Sequence, residues 1–212
     1  MLGRVIILLS IGVLFADYQA KTVAADDGLN TLIIGATVRI IRSRGDGEGT
    51  GVITVIMGRK YVLTANHVIK GTPWACIISL RDNSWGRENR TAGWHDGHDI
   101  AAIPLPASLQ HLPAIPLYHG TLAVGKQVYL SGFPGGYYHL TRGTVSGFTR
   151  HGDEMLHTAP SEGGASGGAV VSRSGHLCGI HTGSYLPGSS LYPNKFATTS
   201  AAIIRLVRIH GR

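Results

Sequence analysis

Three residue types capable of acyl-transfer chemistry stand in this chain in settings that suit them to it. Ser166 lies in Gly163-Gly164-Ala165-Ser166-Gly167-Gly168, His67 in Tyr61-Val-Leu-Thr-Ala-Asn-His67-Val-Ile, and Asp99 in His98-Asp99-Ile-Ala-Ala-Ile. A serine hydroxyl is a weak nucleophile until a base takes its proton and a carboxylate orients that base. Glycines beside the serine permit a sharp turn that exposes backbone N–H donors to a developing oxyanion. The order is His, Asp, Ser, with gaps of 32 and 67 residues.

Gly164-Ala-Ser166-Gly-Gly168 also satisfies G-x-S-x-G, the nucleophile elbow of α/β-hydrolases. That fold places its acid and base after the serine and a helix directly behind it. No Asp or Glu follows Ser166, and Ala169-Val170-Val171 reads as a strand, so the elbow fails. His95, Asp96, His98 and Asp99 crowd one loop without a second ligand cluster. Such a loop does not converge on one ion, so no metal and no cofactor is expected. Asp96 competes with Asp99 as the acid, but no apolar run follows it directly.

The elements that must position these residues are short β runs. Thr37–Ile41, Gly51–Ile56, Tyr61–Thr64, Cys76–Leu80 and Ile100–Ile103 form a first set, most rich in β-branched residues and bounded by Gly, Asp, Asn or Pro. Pro104, Pro106, Pro113 and Pro116 then break the pattern and mark a connection. Gln127–Ser131, Gly143–Gly147, Met155–Thr158, Ala169–Val171 and Leu177–His181 form the second set, and Gly132-Phe-Pro-Gly-Gly136 reads as a tight turn. The one convincing helix runs from about Ser200 to His210, with Ile203, Leu206 and Val207 on one face and Arg205, Arg208 and Arg212 on the other. The pattern predicts an all-β protein of two small packed barrels with a C-terminal helix. Expected boundaries are 33–112 for the first barrel, 113–198 for the second and 199–212 for the helix.

The 212 residues carry 43% hydrophobic and 15% charged side chains, enough for a packed core and unlike a disordered chain. Arg4, the apolar Val5–Phe15 and Val23-Ala24-Ala25 read as a secretory signal over residues 1–25, followed by an N-terminal segment over 26–32. An uncleaved anchor is the alternative. Cleavage after Ala25 leaves 17 basic and 11 acidic residues, a net charge of +6. The expected location is secreted or periplasmic. No Lys/Arg patch interleaved with aromatics occurs, so nucleic acid is not expected as a partner; a protein or peptide substrate is. Cys76 and Cys178 sit in different halves and are expected as buried thiols, with a disulfide as the alternative.

Taken together, these residues resemble the chymotrypsin-like (trypsin-fold) serine endopeptidases, especially bacterial and viral members with few disulfides. The resemblance spans roughly residues 33 to 207. It rests on Gly49-Thr-Gly-Val-Ile53, Leu63-Thr-Ala-Asn-His67, Asp99-Ile-Ala, Gly132-Phe-Pro-Gly135, Gly164-Ala-Ser-Gly-Gly168 and Gly179-Ile-His-Thr-Gly183. It implies two antiparallel six-stranded β-barrels with His67, Asp99 and Ser166 in the cleft between them, and Gly164 and Ser166 N–H groups as the oxyanion hole. Two positions depart from the pattern. Val68 follows the histidine where many animal members have a disulfide cysteine. Ala165 precedes the serine where many zymogens carry an aspartate, so the usual ion-pair activation switch is absent.

By the same resemblance, Gly179-Ile-His181-Thr-Gly forms a wall of the pocket for the residue before the scissile bond, and Ser161 lies near its base. A histidine there looks like the arrangement in glutamyl endopeptidases and some viral proteases, which select Glu or Gln. An imidazole and a hydroxyl both donate hydrogen bonds to a carboxylate or amide oxygen. Glu162 opposes an acidic side chain if it points inward, and His181 as a packing residue stays open. The expectation is an exported serine endopeptidase; a catalytically silent binding module of the same fold is the alternative.

Overall fold

A computed structural model describes residues 27–43, 45, 47–88, 92–94, 98–185 and 194–210. The signal-like segment over residues 1–25 lies outside the described residues. Residues 27–36 are helical (α1), spanning the expected N-terminal segment over 26–32 and the first residues of the expected first barrel. Helix propensity there is unremarkable: Gly28 and Thr31 weaken it, which is why the period alone did not reveal it.

The first half is one antiparallel sheet of β1 (Thr37–Arg42), β2 (Glu48–Ile56), β3 (Arg59–Thr64), β4 (Ala75–Ser79), β5 (Trp85–Glu88), β6 (Ala92–Trp94) and β7 (Ile100–Pro104). Its order is β5-β4-β1-β2-β3-β7-β6. It therefore holds seven strands, one more than expected, and among the described residues its two edges are not paired with each other. Neither edge strand was evident in the sequence. Trp-Gly-Arg-Glu and Ala-Gly-Trp contain no β-branched residue, and pairing to a neighbour sets their conformation. Val38, Ile40, Val52, Val62, Ile77, Ile100 and Ile103 fill the core of this half.

The second half closes. β8 (Gln127–Gly132), β9 (His139–Phe148), β10 (Glu154–His157), β11 (Ala169–Ser172), β12 (Leu177–Tyr185) and β13 (Asn194–Thr199) form a barrel in the order β10-β13-β12-β11-β8-β9. Val128, Leu130, Val145, Met155, Val170 and Cys178 pack inside it. Cys76 belongs to β4 and is half-buried rather than fully covered; Cys178 in β12 is buried, which pushes its thiol up to about 11.

The proline-rich connection is stitched to both halves. Ile115 N–H donates to Ile53 O at 2.9 Å, and Leu177 N–H donates to Pro116 O at 2.8 Å. The Thr37 and Ser131 hydroxyls meet at 2.8 Å, tying β1 to β8. Helix α3 (Ser200–His210) buries Ile203, Leu206 and Val207, as its periodicity predicts. Thr199 caps it, its hydroxyl accepting the Ala202 N–H at 3.3 Å.

Candidate active site

His67 does not sit on a strand. β3 ends at Thr64, and the chain turns at once into a single helical turn, α2 (Asn66–Ile69), that carries the imidazole. So short a helix leaves its first N–H groups without internal partners. Asp99 supplies them from the start of β7: Asn66 N–H donates to Asp99 O at 3.2 Å, and His67 N–H to Asp99 Oδ1 at 2.8 Å. The other carboxylate oxygen, Oδ2, accepts from His67 Nδ1. A carboxylate only accepts, so Nδ1 carries the proton and Nε2 is left as the basic nitrogen. Burial alone would raise the Asp99 pKa, but the imidazole and backbone hydrogen bonds outweigh it and hold the carboxyl below its ordinary value. The pair stays half-open to solvent, with 48% and 36% of the two side chains exposed.

Ser166 is placed through its backbone. Its carbonyl accepts the Thr50 N–H at 2.8 Å, and the Thr50 hydroxyl donates to Gly164 O at 2.8 Å while accepting the buried Phe133 N–H at 2.9 Å. Thr64, two residues before Asn66, donates its hydroxyl to Thr50 O at 2.6 Å. A continuous chain of bonds thus runs from the strand before His67 through β2 to the serine loop. Gly49 closes the space between them: a Cβ there would lie 2.7 Å from Val68 and 3.1 Å from Ser166 O. Among the described residues no hydrogen bond joins the Ser166 hydroxyl to His67. Such contacts commonly tighten only when substrate excludes water.

Within the loop the amide groups alternate. Ala165 N–H donates to Glu162 O, Gly167 N–H to His181 O and Gly168 N–H to Ala165 O. Gly164 and Ser166 N–H have no acceptor among the described residues. Two unspent donors on alternate residues are what an oxyanion would require. Gly164 reaches this arrangement at φ +98°, with Phe133 O only 2.4 Å from where a Cβ would be.

His181 and Ser161 occupy different depths. His181 N–H donates to Gly168 O at 2.8 Å, so β12 clamps the serine loop, and the imidazole is buried. It meets His157 of β10, with His157 Nε2 and His181 Nδ1 3.2 Å apart. Burial pushes the His181 pKa down to about 3, with the His157 and Lys195 charges acting the same way and a Phe196 backbone hydrogen bond opposing them. Burial, then Lys195, lowers His157 to about 4. Both rings are therefore neutral near pH 7. The Ser161 hydroxyl and His157 Nδ1 are buried without a hydrogen-bond partner, whereas Glu162 is exposed.

Thr50, Thr64 and His157 were not singled out from the sequence. Thr50 and Thr64 lie within segments that were, but a threonine in a strand is ordinary and only the tertiary pairing gives it a task. A cavity of about 1040 Å³ lies elsewhere, between Met57, Tyr118, His176 and Val207 of α3, and none of the three candidate catalytic residues lines it.

Known proteins resemble this chain in sequence and fold. The trypsin-like peptidase domain family covers residues 49–180. Protease Do-like 1, chloroplastic, of Arabidopsis thaliana is 30% identical over 156 residues, covering 68% of this chain and 35% of that protein. The periplasmic pH-dependent serine endoprotease DegQ of Escherichia coli K12 is 34% identical over 167 residues, covering 73% of this chain and 35% of its own length. The chain thus spans about a third of these two relatives. A crystal structure of the serine endoprotease from Yersinia pestis superposes with a TM-score of 0.73 at 26% identity, covering 88% of this chain and 67% of that one. Barrel, sheet and serine loop together place the chain in the trypsin-like peptidase domain family, to which it belongs.

Proposed function

We propose that this chain is an exported serine endopeptidase. The observation that carries the reading is the carboxylate-held imidazole, Asp99 to His67, together with a serine loop, tied to the same strands through Thr50 and Thr64, whose Gly164 and Ser166 N–H groups are unspent. In the first step His67 Nε2 takes the Ser166 proton as Oγ bonds to the substrate carbonyl carbon. The carbonyl π electrons move onto oxygen, where the two N–H groups stabilise them. The imidazolium, steadied by Asp99, returns its proton to the leaving amine as the C–N bond breaks. Water, deprotonated by the same imidazole, then cleaves the acyl-enzyme and restores the serine.

The residue before the scissile bond faces the wall formed by His181 and Ser161, and Glu or Gln is the preferred side chain. The orphaned Ser161 hydroxyl supports this, since a buried donor without a partner suits a ligand oxygen. Export is supported by the apolar Val5–Phe15 and by the periplasmic relative. No helix among the described residues is long and apolar enough to cross a membrane.

A fluorophosphonate probe, with Ser166→Ala as control, tests the activity. The expected result is covalent labelling that requires Ser166. Folded wild-type protein that takes no label would leave the silent binding module as the reading.

A further inference from the structure

The row of side chains leading to the candidate specificity pocket carries a cation that the sequence motifs do not include. In β13, Lys195 pairs directly with His157 of β10, and Ala197 pairs with both Met155 of β10 and His181 of β12. Side chains two apart on a strand share a face, and directly opposed residues share it too. His157, Lys195, Ala197 and His181 therefore line one face of the sheet. Lys195 Nζ reaches the end of this row and donates to Ser161 O at 3.0 Å, beside the orphaned Ser161 hydroxyl.

The two histidines cannot supply positive charge here. Both are buried and lean on one another through a single hydrogen bond, so protonating either would place a cation in a dry site beside a second one. Their depressed pKa values, to which the Lys195 charge contributes, agree with that geometry. A neutral imidazole wall separates poorly between a carboxylate and an amide of the same shape. An ammonium separates them well, because it donates to either oxygen but forms an ion pair of opposite charges with the carboxylate alone.

Resting on the reading of Ser166 as nucleophile, we infer that Lys195 is the residue that determines specificity, its ammonium taking the carboxylate of a glutamate placed before the scissile bond. His181 and His157 form the neutral wall that orients this side chain, and of the two side chains proposed above glutamine is the slower isostere.

The test compares two peptides that differ only in Glu or Gln before the cleaved bond. Wild-type protein is expected to favour Glu by about 30-fold in kcat/KM, the size of one hydrogen bond to a charged group. Lys195→Gln brings the ratio to about one, Lys195→Arg keeps it above one, and His181→Ala leaves it in favour of Glu. A wild-type ratio near one, or a preference that disappears in His181→Ala and survives in Lys195→Gln, overturns the assignment. A wild-type ratio near one overturns the assignment without any variant, and where Lys195→Gln does not fold, Lys195→Met is read by the same ratio in its place. Fluorophosphonate labelling of the same wild-type sample separates the two failures: labelled protein without Glu preference refutes the role of Lys195 alone, and unlabelled protein refutes the nucleophile.

Discussion

The Thr64 hydroxyl donates to the Thr50 carbonyl at 2.6 Å, joining the strand that delivers His67 to the strand that holds the serine loop. Thr50 then reaches Gly164 and Ser166, so one residue ties the strand before His67 to the loop of the proposed nucleophile. Replacing Thr50 by Val keeps the shape and deletes the hydroxyl. The Gly164 carbonyl and the buried Phe133 N–H both lose a partner, at about 1–3 kcal/mol each. Thr50→Val is expected to lower the urea midpoint and reduce kcat about tenfold or more, while Thr50→Ser retains most of both. Paired urea titrations and steady-state kinetics measure this. An unchanged kcat in Thr50→Val would show that the loop holds its position without β2.

Asp99 has two tasks that one substitution separates. Asparagine keeps an oxygen for the His67 N–H that starts α2 but presents an amide where the carboxylate held Nδ1–H. The helical turn survives, and the imidazole is free to adopt the wrong tautomer. Asp99→Asn is expected to fold like wild type and lose on the order of 10⁴ in kcat, the loss such a tautomer change produces in this chemistry. Near-wild-type turnover in a folded variant would remove Asp99 from the mechanism.

The sequence made the strand cores and α3 legible because apolar, β-branched runs and a 3.6-residue period survive any context. It exposed β1 to β4 and β7 to β12, and it concealed β5, β6 and β13. Asn194–Thr199 mixes Lys, Asn and Thr with one Phe, and becomes a strand because β10 and β12 flank it. His67, Asp99 and Ser166 stood out by residue type and setting. The pairing of His157 with His181 was not visible, since 24 residues separate them and only barrel closure brings β10 and β12 to either side of β13.

Gly167 has no tolerance for a side chain. Its φ is +86°, and a Cβ would lie 1.9 Å from Thr50 O and 2.3 Å from Thr64 Oγ1. Gly167→Ala combines backbone strain with a backbone clash, at a cost on the order of 3 kcal/mol or more. The loop must then leave β2, so activity is expected to vanish before stability does. Circular dichroism melts and probe labelling measure the two separately. Full labelling in Gly167→Ala would mean that Thr50 contact is dispensable.

The buried histidine pair gives stability a defined pH dependence. His157 and His181 have pKa values of about 4 and about 3 in the folded protein, against about 6.5 in the unfolded chain. The unfolded state therefore binds more protons as pH falls below about 6.5, and stability drops with it. Each histidine's contribution to stability is fully present above pH ~6.5 and is lost as the pH descends toward the folded values, by at most one proton's linkage per pH unit. Asp99, also held below its ordinary value, adds loss in the same direction only at lower pH, through the carboxylate range. Urea unfolding between pH 7 and 4.5 should show the midpoint falling steeply, and His157→Phe should flatten the slope by one proton's share. An equal slope in His157→Phe would show that the loss arises elsewhere than at this pair.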